Sequence, residues 1–471
     1  MSNEKTVLAG RATPSRSHMC LLGIFLSLRK EYSPYDRTFD YYSISGEALK
    51  NMARTEVLTS VDIGTSKVSC LIAEADSNGN IDFVGHGLSP CSGLKRGALI
   101  DPEATVRAIE AAVNDAEREA GYSVSNVLVS LTSEYVNSLS SHGVWAVSNP
   151  NGEISVTDVR RALDSARLVG IPSDREIIHV IPRGFTVDGH EGVRNPVGLS
   201  GLRLEVDTHI VAASSAYLQN LGRCLSKATL EVEDDGLIAS SMASGLAVLT
   251  AEERKLGTAM IDIGAGTVDL SVFCDDEIGH SAILSMGGDL LTQDLARFFR
   301  IPASQAERLK LEKGIVAPTY LDSDEKDRDA ETVNATSLSG EDEVTVSRFE
   351  MAQVLEARLL DILEWVGKEI AVAEQQGLVV TSLVLTGGGS QLPGLANLAC
   401  RELDIPCRVA APCYPDRLPD QLASPIYSTA VGLILHGASR RLLPAEAQVG
   451  GSSSKVKVLL GRVGRWLSEV F

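Results

Sequence analysis

No stretch of the 471-residue chain is long and apolar enough to span a bilayer. No CxxC pair occurs among its eight cysteines, Cys20, Cys70, Cys91, Cys224, Cys274, Cys400, Cys407 and Cys413. The last three are spaced too irregularly for a common zinc site, so the set reads as reduced thiols of a cytosolic protein. The scattered histidines offer no metal site either. Positive charge is short: 43 Lys and Arg stand against 62 Asp and Glu, a net charge of −19. An acidic surface argues against broad nucleic-acid binding, and no nucleic acid is expected as a partner. Neither a GxxxxGKS/T loop nor a GxGxxG opening a helix is present, which sets aside the commonest phosphate-binding loops.

What remains is enough for two or three domains, with 44% of residues hydrophobic. Residues 1–54 are irregular and polar apart from one short apolar run, Met19–Leu28, with no convincing cleavage site after it. Met52 stands just before the first strand, so residues 1–51 are expected to be either a disordered extension or a matter of start-site choice. From residue 55 onward, strand-like and helix-like runs alternate as in an α/β protein. The segment Pro102–Ala120 has helical periodicity, with Val106, Ile109, Ala112 and Val113 on one face. Residues 321–343 are rich in Asp, Glu, Ser and Thr and read as a flexible acidic loop. Ser347–Glu374 is a long helical pattern.

One device occurs twice. Ser60-Val-Asp-Ile-Gly-Thr-Ser-Lys-Val68 and Met260-Ile-Asp-Ile-Gly-Ala-Gly-Thr-Val268 each run a strand into Asp-Ile-Gly and a second strand out of it. The chain therefore reads as two related halves. An Asp at such a strand end can hold Mg2+ through water, and the glycine lets turn N–H groups approach a phosphate. Asp62, Gly64, Thr65, Ser66 and Lys67 form the first candidate set. Asp262, Gly264, Ala265, Gly266 and Thr267 form the second. A third turn, Gly387, Gly388 and Gly389, follows a short strand. One Asp-x-Gly hairpin is an ordinary β-turn. Two matched copies followed by a glycine-rich turn point to an enclosed nucleotide.

The last segment, Lys455–Phe471, follows a linker of small and polar residues, 444–454. Val456, Leu459, Leu460, Val463, Trp466, Leu467, Val470 and Phe471 recur at helical spacing and make one apolar face. Lys457, Arg462 and Arg465 supply cations elsewhere around the helix. At 1.5 Å per residue it would be roughly 25 Å long, but its charges forbid spanning. A basic amphipathic helix with Trp and Phe fits the interface of an anionic membrane, lying parallel to it.

Together with His179-Val-Ile-Pro182, Asn195-Pro-Val-Gly-Leu-Ser-Gly201, Leu385-Thr-Gly-Gly388 and Tyr427-Ser-Thr-Ala-Val-Gly-Leu433, these features resemble the FtsA family of bacterial cell-division proteins. That family is one branch of the actin, heat-shock chaperone and sugar-kinase superfamily. The resemblance runs from Val57 to Phe471. It implies an α/β, actin-like, two-lobed ATPase fold with an FtsA-type 1C insertion, plus the C-terminal amphipathic helix. Subdomain 1A would comprise 55–92 and 183–255, and the SHS2-like 1C would be 93–182. Subdomain 2A would comprise 256–286 and 359–443, and 2B would be 287–358.

ATP and Mg2+ are the implied cofactors, with Glu307 and Lys310 holding the adenosine. Hydrolysing relatives place a Glu or Gln where this chain has a serine, near Ser240, so slow hydrolysis at most is expected. The implied partners are the C-terminal tail of the tubulin-like FtsZ through 2B, other copies of the chain in filaments, later divisome proteins, and anionic lipid. The implied place is the cytoplasmic face of the cell membrane at the division septum, where the chain would anchor the Z ring. Two other readings stand beside it. A small-molecule kinase of the superfamily would need a general base, for which Asp207 or Asp188 could serve, but would not need the terminal helix. A pilus-assembly adaptor would lack the long linker and that helix.

Overall fold

The computed structural model describes residues 55–442, apart from 77–78, 150, 169, 317–331, 338–342 and 414–417. Residues 1–54, the linker 444–454, the terminal helix 455–471 and most of the acidic stretch 321–343 lie outside the described residues.

Three antiparallel strands open the first lobe: β1 (Glu56–Ile63), β2 (Lys67–Ala75) and β3 (Ile81–Pro90). Every residue of β1 from Leu58 to Ile63 is buried, as in a strand covered on both faces. A small hairpin of β4 (Leu94–Lys95) and β5 (Ala98–Leu99) leads into helix α1 (Pro102–Ala120). The Asp101 carboxylate caps α1 by accepting from the Ala104 N–H, and Gly121 closes it. The expected stripe of Val106, Ile109, Ala112 and Val113 packs with Val61, Ile72 and Val129 in one core. Strand β6 (Asn126–Leu131) then pairs parallel with β1.

A separate antiparallel sheet follows. It contains β7 (Val136–Ala146), β8 (Arg175–Val187), β9 (His190–Val193) and β10 (Arg203–Ser214) in the spatial order β7-β10-β8-β9. Helix α2 (Val156–Arg167) lies between β7 and β8 in sequence, starts at a reciprocal Ser155–Asp158 cap, and packs Ala162 and Ala166 on Phe185, Leu204 and Val206. This sheet spans Val136–Ser214 and overlaps the expected insertion, 93–182, only in part. Helix α1 and the β4–β5 hairpin belong with the first lobe. Residues 203–214 belong to the insertion because β10 pairs with both β7 and β8, a long-range choice that no local pattern records.

Helix α3 (Ser215–Lys227) returns the chain to the first lobe, where β11 (Glu231–Ala239) pairs parallel with β6. The first sheet thus has the order β11-β6-β1-β2-β3, with β11 at its edge. Helices α4 (Ser240–Val248) and α5 (Ala251–Leu256) lead to the second lobe.

That lobe opens with another antiparallel trio, β12 (Thr258–Ile263), β13 (Val268–Cys274) and β14 (Glu277–Leu284). Next come α6 (Gly288–Phe299), α7 (Ala303–Lys313) and a hairpin of β15 (Thr332–Thr336) with β16 (Glu343–Ser347). Most of the described part of the stretch expected to be loop, Thr332–Thr336 and Glu343, is therefore strand. Ala335 and Val346 explain it, since both are buried in the lobe's core. The remaining elements are α8 (Arg348–Gln375), β17 (Ser382–Thr386), a 3-10 turn Gly388–Gln391, α9 (Leu395–Leu403), β18 (Cys407–Val409), two short 3-10 turns, Asp420–Leu422 and Pro425–Tyr427, and α10 (Ser428–Leu442). The second large sheet has the order β14-β13-β12-β17-β18.

Both large sheets follow one plan: three antiparallel strands, then two parallel strands beside the first. The expected pair of related halves is thus present as topology. Helices α4 and α10 lie between them. Leu58 and Leu71 of one sheet and Met260, Phe273 and Val384 of the other share a core with Ala247, Val431 and Ile434. That shared core brings the two Asp-x-Gly turns to one place.

Candidate functional site

Each Asp-x-Gly turn sits between two buried strands and is closed by the same bond. Gly64 N–H donates to the Lys67 carbonyl and Gly264 N–H to the Thr267 carbonyl, both at 2.9 Å. The two turns line one cleft. Their tips touch: a side chain at Gly266 would collide with Thr65 and come within 2.9 Å of the Arg96 Cα. Gly387 closes another wall at φ +80°, and a Cβ there would strike the Asp262 carboxylate. Glycine at these positions is therefore what lets the turns pack this closely.

The cleft's carboxylates are held by hydroxyls. Asp62 accepts from Ser130 Oγ at 2.7 Å, and Ser130 Oγ accepts from the Ile63 N–H at 3.2 Å. Asp262 accepts from Ser244 Oγ at 2.5 Å and Thr429 Oγ1 at 3.2 Å. Burial raises the Asp262 pKa above the ordinary carboxylate value; Ser244 opposes the rise and the nearby Asp62 charge adds to it. Asp269 lies opposite Asp262 in the β12–β13 register. Its pKa is pushed up to about 8, by burial first and then by Asp262, against the hydroxyls of Thr132 and Thr267. One Asp269 oxygen accepts from Thr132 Oγ1 at 2.8 Å. The other has no partner among the described residues, and neither has the buried hydroxyl of Ser240. Lys67 donates to the Ile426 carbonyl and lies 5.8 Å from the centre of the Tyr427 ring. Orphaned buried polar atoms cost roughly 1–3 kcal/mol each, and here both belong to residues lining a cleft able to take a polar ligand.

A family model described as "Cell division protein FtsA" matches residues 259–432, and one described as "SHS2 domain inserted in FTSA" matches 133–212. The cell division protein FtsA of Pseudomonas aeruginosa is 33% identical over 420 residues, which is 88% of this chain and 98% of that protein. The chain belongs to the FtsA family. The FtsA of Bacillus subtilis is 34% identical over 387 residues, covering 81% of this chain and 84% of its own. Among solved structures, a PilM-PilN type IV pilus biogenesis complex has a similar fold, with a TM-score of 0.57 at 18% identity, covering 81% of this chain and 98% of that one. The inserted sheet, Val136–Ser214, coincides with the FtsA SHS2 match.

Every hairpin residue singled out in the sequence lines the FtsA-family cleft: Asp62, Gly64, Thr65, Ser66, Lys67, Asp262, Gly264, Ala265, Gly266 and Thr267. Gly387 and Gly388 line it too, whereas Gly389 packs against Ile263. Glu307 and Lys310 are not on the wall. Lys310 Nζ donates to the Gly288 carbonyl at 2.9 Å and Thr292 Oγ1 at 2.8 Å and pairs with Glu307 at 2.7 Å. Gly288 N–H in turn donates to the Gly264 carbonyl at 2.9 Å, so the pair sits one bond behind the second hairpin. Ser240 lines the cleft.

Thr132, Asp269, Ile426 and Thr429 also line the cleft and were not singled out from the sequence. For Asp269 a signal existed: it lies two residues past Thr267 on an outgoing strand, hence on the same face. Thr429 lies within the Tyr427–Leu433 segment that carries the resemblance, though no cleft role was read from it, and Thr132 carried no signal. Among the described residues no group of three or more His, Cys, Asp or Glu could hold a metal directly.

Proposed function

We propose that this FtsA-family chain is an ATP- and Mg2+-binding scaffold that assembles on the cytoplasmic face of the cell membrane and anchors FtsZ filaments there. One observation carries the nucleotide part: two like hairpins face each other across a cleft in which glycines leave no room for side chains and two buried polar atoms lack partners among the described residues. Those residues fit a nucleotide. Turn N–H groups from Thr65–Ser66 and Ala265–Thr267 would receive the phosphates, and Lys67 would meet their charge. The side of α7 bearing Glu307 and Lys310 is assigned to the adenosine. Asp62 and Asp262 would hold Mg2+ through water, and the ion would offset the burial and, after it, the Asp62 charge that raise the Asp262 pKa.

The cleft wall contains no Glu, Gln or His among the described residues. That supports slow turnover, with ATP acting mainly to hold the two lobes together. The membrane part rests on the sequence of 455–471, and the FtsZ tail is assigned to 287–358. Self-association and recruitment of later division proteins complete the proposal.

Co-sedimentation of the whole chain with phosphatidylglycerol-containing vesicles, ATP, MgCl2 and an FtsZ tail peptide, each omitted in turn, tests it. Vesicle binding should need residues 455–471, and peptide capture should survive their deletion. ATP-independent behaviour throughout would overturn the nucleotide part.

A further inference from the structure

Strand β11 is the outer edge of the first sheet, and an edge strand leaves backbone donors on its open side that need partners. At its last residue the partner comes from the inserted sheet. The Ala239 N–H donates to His179 Nε2 at 3.1 Å, while on the other side Ala239 is in register with Leu131 of β6. The next residue is Ser240, first of helix α4, which lines the cleft and whose buried hydroxyl has no partner among the described residues. The strand-to-helix corner that delivers Ser240 to the cleft is thus clamped from both sides, by Leu131 of its own sheet and by His179 of the insertion.

We infer that His179 is a positioning residue for the nucleotide cleft: by holding Ala239 from the inserted sheet, it fixes where Ser240 presents its hydroxyl. This rests on the nucleotide-binding proposal above. The imidazole is suited to the task because burial pushes its pKa down to about 4, which keeps Nε2 an acceptor at neutral pH. Asp235 of β11, Arg440 and His436 of α10 and His209 of β10 are the titratable groups that face it. Arg440 is itself engaged, donating to the Asp235 carboxylate at 3.1 Å. The insertion therefore reaches the cleft through this bond, and a partner pulling on β8 would act on Ser240.

The test uses the full chain and four variants: His179→Ala, His179→Gln, Ser240→Ala, and the double variant carrying both His179→Ala and Ser240→Ala. Amide exchange at Ala239, measured without nucleotide, should accelerate about five- to tenfold in His179→Ala, as loss of one hydrogen bond predicts. It should stay near wild type in His179→Gln, whose side-chain carbonyl can still accept. Binding of a fluorescent ATP analogue with MgCl2 should weaken about five- to tenfold in His179→Ala, recover in His179→Gln, and be no weaker in the double variant than in Ser240→Ala alone. Unchanged exchange at Ala239, or strictly additive losses in the double variant, would overturn the inference. If the wild type binds no analogue, the nucleotide reading itself falls, while the exchange result still decides whether His179 holds Ala239.

Discussion

Thr132 donates its hydroxyl to Asp269 at 2.8 Å, joining the end of the first lobe's β6 to the hairpin of the second lobe directly at the cleft. The same hydroxyl lies 3.0 Å from Thr267 Oγ1. Replacing Thr132 by Val keeps the shape and removes the link, leaving a buried carboxyl short of a donor. Thr132→Val should lower stability by about 1–3 kcal/mol and weaken ATP binding, since the lobes lose a bond that holds the cleft walls in register. Urea unfolding and calorimetric titration measure the two effects. Unfolding midpoints matching wild type would show that the bond contributes nothing.

Gly387 and Gly121 separate backbone strain from obstruction. Both have positive φ, +80° and +82°, but a Cβ at Gly121 meets nothing within 4 Å while one at Gly387 strikes Asp262. Gly121→Ala should therefore cost about 1–2 kcal/mol, the ordinary left-handed penalty, with nucleotide binding unchanged. Gly387→Ala should cost more and abolish binding. Equal binding by both variants would remove Gly387 from the site.

The contrast between what was and was not legible in the sequence follows from distance along the chain. Asp62, Gly64, Asp262 and Gly264 were readable because a strand end, a glycine and a returning strand are local. The duplication was readable because two local patterns matched. Thr132 and Thr429 were not, because each meets its carboxylate from far along the chain, at separations of 137 and 167 residues. That β10 pairs with β7 and β8 was not readable for the same reason. The apolar stripe of α1 was correctly drawn, but periodicity says only that a face is buried, not which sheet buries it. Glu307 and Lys310 were readable as a helical pair, yet their place behind the second hairpin depends on how α7 packs against α6.

Acid should unfold the protein partly through three buried histidines. Burial pushes His179 and His436 down from 6.5 to about 4 and His209 to about 3. Below pH 6.5 the unfolded chain takes up protons that the folded chain refuses, so each group removes stability as pH falls, at about 1.4 kcal/mol per pH unit. The loss runs from about pH 6.5 to the folded pKa. Asp269 and Glu277, raised to about 8 and about 7, act in the opposite direction, so the histidine effect is best read as a difference. His209→Gln can keep the bond that His209 makes to Ser281 at 2.9 Å and should flatten the decline between pH 6 and 4 by one histidine's share. Identical slopes for variant and wild type would mean that His209 is protonated in the folded chain.

On the proposed membrane role, residues 455–471 would combine two attractions that salt and substitution can separate. The cations Lys457, Arg462 and Arg465 should each contribute roughly 1 kcal/mol at an anionic surface, and that part is screened as salt rises. The expected face of Val456, Leu459, Leu460, Val463, Trp466, Leu467, Val470 and Phe471 would act by burial and would not be screened. Reversing two charges with Arg462→Glu and Arg465→Glu should therefore cost at least about 2 kcal/mol, roughly 30-fold in vesicle affinity, at low salt, and far less at high salt. Trp466→Glu puts a charge into the apolar face and should release the protein at any salt concentration. Sedimentation with vesicles of graded phosphatidylglycerol content measures both. If the charge-reversed chain still pellets as wild type does at low salt, the segment is not held by anionic lipid, and its apolar face must be covered by protein instead.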